Sequence, residues 1–192
     1  MEENIIPVER HPLEPFLPKG AKVLMLGSFP PAKKRWSMEF FYPNWINDMW
    51  RIVGHVFFDD RLHFVGTGKS FDKERIIEFC SENGIALYDT ACEVRRLKDN
   101  ASDKFLEVVK ATDLVELLEK IPECKAIVTT GQKATDVICE VFGCSEPPVG
   151  GWTECHNGIR FWRMPSSSRA YPLPLEKKAE HYRKMFETEG LL

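Results

Sequence analysis

The sequence predicts a three-layer α/β/α domain built on a central four-stranded parallel sheet. Short apolar runs of strand length, KVLMLG among them, carry their apolar residues in succession, as strands covered on both faces do. Between these runs lie stretches whose apolar residues recur every three or four positions, the period of a helix with one buried face. The two patterns alternate along the chain, and that alternation puts helices on both sides of a parallel sheet.

Residues 1–20 hold Pro7, Pro12, Pro15 and Pro18, too many for a helix or a central strand. They read as an extended arm lying on a single domain of residues 21–192. KVLMLG is the first strand. In WINDMWRIVGHVFF, Ile46, Met49, Trp50, Val53 and Phe57 fall on one helix face. Asn44 is placed to cap that helix, leaving Asn47 in its first turn and off the apolar stripe. DKERIIEFCSENG is a short helix stopped by Gly84, and IALYDT is the second strand. Thr112 or Asp113 opens a helix carrying Leu114, Leu117 and Leu118, with Pro122 as its stop. AIVTTG, the third strand, leads into a helix with Ala134, Val137, Ile138, Val141 and Phe142 at helical spacing, ended by Gly143. Residues 143–158 read as a loop before the fourth strand, IRFWRM. The last helix, about 174–189, buries Leu175, Ala179, Tyr182 and Phe186.

Composition narrows the function. At 192 residues and 43% hydrophobic content the chain can build one substantial core. A net charge of −3 gives no global attraction to nucleic acid, so any polyanion site must be a local basic patch. No apolar run approaches the ~20 residues that cross a bilayer, and MEENIIPVER lacks the apolar segment of a signal peptide. A cytoplasmic protein without membrane contact is expected. The six cysteines are scattered without a C-x-x-C pair, which points to buried free thiols rather than a metal centre. No metal or other cofactor is expected.

The stretch VLMLGSFPPAKKRW breaks from a strand into a turn, where ligands of parallel sheets collect. A phosphate-cradling loop offers free backbone N–H groups at a helix start, and Pro30 and Pro31 remove two of them. This argues against a nucleotide loop. GSFPP, YDTACEVRR and MPSSSRAYPLP follow the first, second and fourth strands, and such loops converge on one crevice.

Together with FYPNWINDMW, these segments resemble the uracil-DNA glycosylase superfamily over about residues 22–187. GSFPP is similar to its glycine-proline first motif. FYPNWINDMW resembles the aromatic, asparagine and tryptophan segment of the mismatch-specific and hypoxanthine branches. GIALYDTACEVRR resembles the strand ending in a base-reading residue, and MPSSSRAYPLPLEKKAEHYRKMF the loop that inserts into the duplex with the helix after it. The resemblance implies a monofunctional DNA glycosylase, metal-independent and monomeric, that flips a deaminated base, uracil or hypoxanthine, out of the DNA stack and hydrolyses its N-glycosidic bond.

The resemblance also implies roles. Tyr42 supplies a stacking surface for the flipped base. Backbone groups at Ser28 and Phe29 meet the base edge, Gly27 allows close approach, and Pro30 stiffens the turn. Phe29 stands where many members carry the Asp or Asn that positions the water. Aligning on Trp50 makes Asn47 the leading catalytic candidate, either orienting the water or donating to the leaving base. Asp89 stands at the base-reading position. As a carboxylate it accepts a purine N–H or contacts the sugar, whereas a raised pKa would let it donate or act as a general acid. Met164 replaces the histidine of classical uracil enzymes. Ser166, Ser167, Ser168 and Arg169 suit phosphate contacts, and Tyr171 or Leu173 is the wedge. Lys33, Lys34, Arg35, Lys177 and Lys178 are further candidate DNA-facing charges, the helix pair more simply a solvated surface. None of the five histidines matches a motif. Two other readings compete: a nucleic-acid-binding module of the same fold with altered catalytic groups, and a small-molecule α/β hydrolase using Asp89 or a free cysteine.

Overall fold

A computed structural model describes residues 5–100 and 102–192. Residues 1–4, the start of the expected arm, lie outside the described residues. In chain order the elements are β1 (Val8–Arg10), β2 (Val23–Gly27), α1 (Met49–Phe58), α2 (Lys73–Asn83), β3 (Ile85–Asp89), β4 (Ala91–Arg96), β5 (Leu106–Ala111), α3 (Leu114–Glu119), β6 (Ala126–Thr130), α4 (Gln132–Phe142), β7 (Gly151–Glu154), β8 (Arg160–Met164) and α5 (Leu175–Thr188).

The main sheet has the order β3-β2-β6-β8-β7. Its first four strands are mutually parallel, with Leu24 beside Ala86 on one side and Ile127 on the other. Every residue of β2, β3 and β6 is buried, which is why each segment opens with successive apolar residues; buried Asp89, Thr129 and Thr130 come only at the carboxyl ends. Helices flank the sheet: α2 packs on β3, α4 on β6, and α1 on α5. Phe57 joins three of these helices, its ring 4.8 Å from Phe79 and 5.0 Å from Phe186, both edge-on. Helix ends follow local chemistry. The Asp72 and Asp113 carboxylates accept the Arg75 and Glu116 amides at 3.1 and 3.0 Å. Gly84 takes φ 68° to end α2.

Several boundaries differ from the sequence expectation. Helix α1 starts at Met49, so Asn44 does not cap it and Ile46 is exposed outside it. The Asn47 carboxamide oxygen instead accepts the Met49 amide at 2.9 Å. Helix α3 ends at Glu119, before Pro122, in a tight turn of the chain. Residues 143–158 are not all loop. Gly151–Glu154 form β7, antiparallel to β8, an edge strand too short and too exposed at Trp152 to announce itself. Only Cys80 and Cys124 are buried among the cysteines; the rest are partly exposed.

The largest departure is a second, antiparallel sheet of order β1-β4-β5. YDTACEVRR is therefore not a polar exit loop: the chain turns at Thr90 and runs on as β4. Register shifts between Ala91 and Val94 mark a bulge that puts these residues, three apart, on the same buried side. The two-residue alternation that signals a strand is thereby erased. Ala91, Val94 and Leu106 enclose Phe29 in a small second core. Burial of one phenyl ring is worth about 1.5–3 kcal/mol, so Phe29 fastens this sheet to the turn after β2.

The arm pairs first with the second sheet and then with β3 of the main one. Val8 to Arg10 pair with Arg95 to Glu93, and Phe16 and Leu87 exchange backbone hydrogen bonds of 3.0 and 2.9 Å. Arg96 forks onto Glu9 with two hydrogen bonds of 3.1 Å and donates to the Pro30 carbonyl at 3.1 Å. One partly buried guanidinium thus ties the arm to the first turn.

Candidate active site

The carboxyl ends of the parallel strands open into a cavity of about 930 Å³. Gly27, Ser28, Phe29 and Pro30 line it from the turn after β2, and Asp89 from the end of β3. Tyr42 and Asn47 line it from the segment before α1. Ser166, Ser167, Ser168 and Arg169 close it from the loop after β8.

At the end of β2 the Gly27 and Ser28 carbonyls accept the Thr90 and Ala91 amides at 2.9 and 3.1 Å. What this turn can offer a ligand is its own N–H groups. Asp89 lies directly beside Gly27: a Cβ there would sit 2.6 Å from Oδ1. The other oxygen, Oδ2, is 2.7 Å from Nε2 of His11, whose side chain is almost fully buried. The Thr112 hydroxyl donates to the Asp89 carbonyl at 2.7 Å, fixing the backbone as well.

Tyr42 holds a left-handed backbone, φ 53°, unusual for a residue with a Cβ and a sign of local constraint. Its hydroxyl is 3.0 Å from the Thr130 hydroxyl at the end of β6, and Trp50 packs edge-on at 6.1 Å. Burial pushes the phenol well above its ordinary pKa, with the Thr130 contact opposing. Tyr42 is thus a neutral aromatic wall.

Asn47 meets the serine loop through a backbone bridge to Ser168, and the next amide, Asp48, donates to the Ser167 carbonyl at 2.9 Å. Because Oδ1 of Asn47 takes the Met49 amide, its Nδ2 group remains the free donor. Beneath it, buried Asp48 accepts from Arg51 at 3.2 Å and from Arg169 at 3.0 Å. Arg169 is therefore anchored through Nε and only its half-exposed outer edge is available to a phosphate. The Ser166 and Ser168 hydroxyls accept the Ser168 and Ala170 amides at 3.2 and 3.3 Å, leaving their O–H groups to donate outward.

The expected DNA-facing charges fare differently. Lys178 is neither DNA-facing nor solvated: it is buried, and its ammonium donates to the Ser168 carbonyl at 2.7 Å. Burial lowers its pKa, and Asp48 acts against that. The helix pattern hid this because a lysine stem packs like an apolar side chain. Lys33 and Lys34 are exposed but paired with Glu39 and Asp99, and Lys177 pairs with Glu180 at 2.9 Å.

Four residues that sequence reasoning passed over join the site. His11 carries no signal, standing alone among prolines of the arm. Thr130 lines the cavity from the end of β6, whose plain AIVTTG reading drew no attention, and Lys133 lines it from the first turn of α4. Asp103 reaches it from the turn between β4 and β5. Burial raises the Asp103 pKa; a Ser28 hydrogen bond lowers it, Asp89 raises it, and Lys133 and Arg96 lower it. The folded protein binds this proton more tightly than the unfolded chain, so ionisation of Asp103 costs stability as pH rises above the ordinary carboxylate value of about 3.9. Asp103→Asn should therefore raise Tm at pH 8 and leave it nearly unchanged at pH 3. A Tm gain at pH 3 as large as at pH 8 would refute this.

No protein-family model matches the chain, and no curated protein matches it. Solved structures do match. One is the solution NMR structure of a Methanosarcina acetivorans protein described as a "putative Uracil DNA glycosylase". The two superpose with a TM-score of 0.65 at 21% identity, over 96% of this chain and 99% of that one. At this identity the likeness is one of fold: the chain has a uracil-DNA glycosylase-like α/β architecture. Among the described residues no helix is long and apolar enough to cross a membrane, and no group of three or more His, Cys, Asp or Glu is placed to hold a metal ion.

Proposed function

We propose that the protein is a member of the uracil-DNA glycosylase superfamily, a monofunctional glycosylase that excises a deaminated base from DNA. The observation that carries this reading is the single cavity at the carboxyl ends of the sheet, where a carboxylate, a carboxamide donor, an aromatic wall and a serine loop meet. The fold shared with the Methanosarcina acetivorans protein supports it.

Hydrolysis breaks the bond between C1′ and the base nitrogen, the bonding pair leaves with the base, and water supplies hydroxide to C1′ and a proton to the base. Positive charge develops on the sugar and negative charge on the base. Asn47 orients the attacking water or donates through Nδ2 to the departing base. Asp89 offers the sugar a negative field, and Asp103, with its raised pKa, is the group better suited to carry the base's proton. Tyr42 stacks on the flipped base. Ser166, Ser168 and the outer edge of Arg169 hold the flanking phosphates.

The test incubates the protein with duplexes carrying uracil, hypoxanthine or xanthine, followed by alkaline cleavage of abasic sites. Strand breaks on at least one substrate are expected, with duplex affinity falling steeply as salt rises. Binding without breaks on every substrate at high protein concentration sinks the enzyme reading in favour of a binding module, and absence of salt-dependent binding favours a small-molecule enzyme.

A further inference from the structure

We infer that His11, on the N-terminal arm, is a positioning residue that holds Asp89 as a hydrogen-bond acceptor, so that the pocket selects bases carrying a ring N–H at the edge they present. The inference rests on the glycosylase reading above and names the substrate class of that same site.

The hydrogen bonds decide the tautomer. The Leu13 amide donates to Nδ1 of His11 at 3.1 Å, so Nδ1 is an acceptor and the ring proton sits on Nε2. That proton points at Oδ2 of Asp89, 2.7 Å away. The ring is clamped by aromatics, its centroid 4.6 Å from Tyr88, 5.3 Å from Phe29 and 6.2 Å from Phe41. The His11 backbone amide donates to the Cys92 carbonyl at 2.8 Å, so the arm cannot slide without breaking the sheet register. With Oδ2 occupied by a donor, the lone pairs of Oδ1 beside Gly27 are what Asp89 shows the cavity.

The chemistry follows. Deamination of adenine or cytosine converts a bare ring nitrogen, an acceptor, into an N–H donor. A carboxylate bonds that N–H and repels the bare nitrogen, and a buried site built for a hydrogen bond rejects the analogue that lacks it. Hypoxanthine and uracil fit this rule, whereas adenine and cytosine do not. An imidazole whose Nε2–H is fixed on Oδ2 holds the carboxylate in one orientation, as outer partners orient ligands in metal sites.

The test compares wild-type protein with His11→Phe, which keeps the packed ring and loses the donor, and His11→Gln, whose amide places a donor where Nε2 lies. Single-turnover release of the preferred base from the panel duplexes is expected to fall about 10- to 100-fold in His11→Phe, the scale for losing one preorganised donor or its alignment, with KM for the duplex unchanged. His11→Gln is expected to recover most of the rate. His11→Phe at the wild-type rate overturns the inference, as does His11→Gln failing as deeply as His11→Phe while its Tm is native. A measurement on the unaltered protein stands apart from folding of the variants: ring ¹⁵N shifts should report Nε2 protonated and Nδ1 bare, and an Nδ1–H tautomer overturns the inference. Wild-type protein inactive on every panel duplex is the failure of the glycosylase reading, distinguishable because the tautomer is measured without substrate.

Discussion

Gly27→Ala should lower single-turnover base release by more than about 100-fold while leaving Tm close to wild type. Gly27 does not hold a left-handed backbone, so the residue is not needed for a turn. The requirement is steric. An added Cβ meets Oδ1 of Asp89 at 2.6 Å, a separation that real Cβ atoms do not tolerate. A long side chain would swing away, but Asp89 is short, and its other oxygen is held by buried His11. The carboxylate must shift by several tenths of an ångström or break that hydrogen bond, and misplacement on the ångström scale costs a site about 100-fold. Since Gly27 and Asp89 are register partners on adjacent strands, the collision stays local. The mechanism can be checked by a double-mutant cycle: in an Asp89→Ala background, Gly27→Ala should cost almost nothing further. Equal losses in both backgrounds would mean that the Cβ blocks the base directly.

Asn47→Ala should reduce base release by on the order of 100-fold, the usual scale for one preorganised hydrogen-bonding group, with little change in duplex affinity. The substitution also removes the acceptor for the Met49 amide, a local cap whose loss costs about 1 kcal/mol of stability. Asn47→Asp separates the two effects. An aspartate keeps the acceptor that caps the helix but has no Nδ2 donor, so it should restore Tm without restoring the rate. Full activity in Asn47→Asp would exclude donation and leave water orientation as the role of this side chain. Unchanged rates in Asn47→Ala would move the chemistry to Asp89 or Asp103.

Particular elements show where sequence reasoning reached and where it stopped. The parallel strands were legible because β2, β3 and β6 are covered on both faces and so begin with successive apolar residues, polar ones entering only toward their carboxyl ends. Helices α2 and α4 were legible from apolar period and from the glycines that end them. The start of α1 was not. Asn44, Asn47 and Asp48 are all competent caps, and the docking of Asn47 and Asp48 against the serine loop decides among them. Strand β4 escaped because its bulge replaces alternation with a three-residue spacing. The cavity residues from the turn after β2, from Tyr42, Asn47 and Asp89 and from the serine loop were found together, since loops at the carboxyl ends of parallel strands must converge.

What the sequence by itself determined is the order of buried strands and amphipathic helices, and with it the edge of the sheet at which a site must form. That information is local: each pattern spans a few residues and reflects how much of a segment meets water. Only the tertiary structure decided that Lys178 is buried under the serine loop, that Asp103 shares the cavity with Asp89, and that His11 is Asp89's partner. His11 and Asp89 lie 78 positions apart, and no period or spacing links them. Their hydrogen bond exists because the arm pairs with a second sheet whose own signal is erased by a bulge, a dependence that only the packed chain expresses.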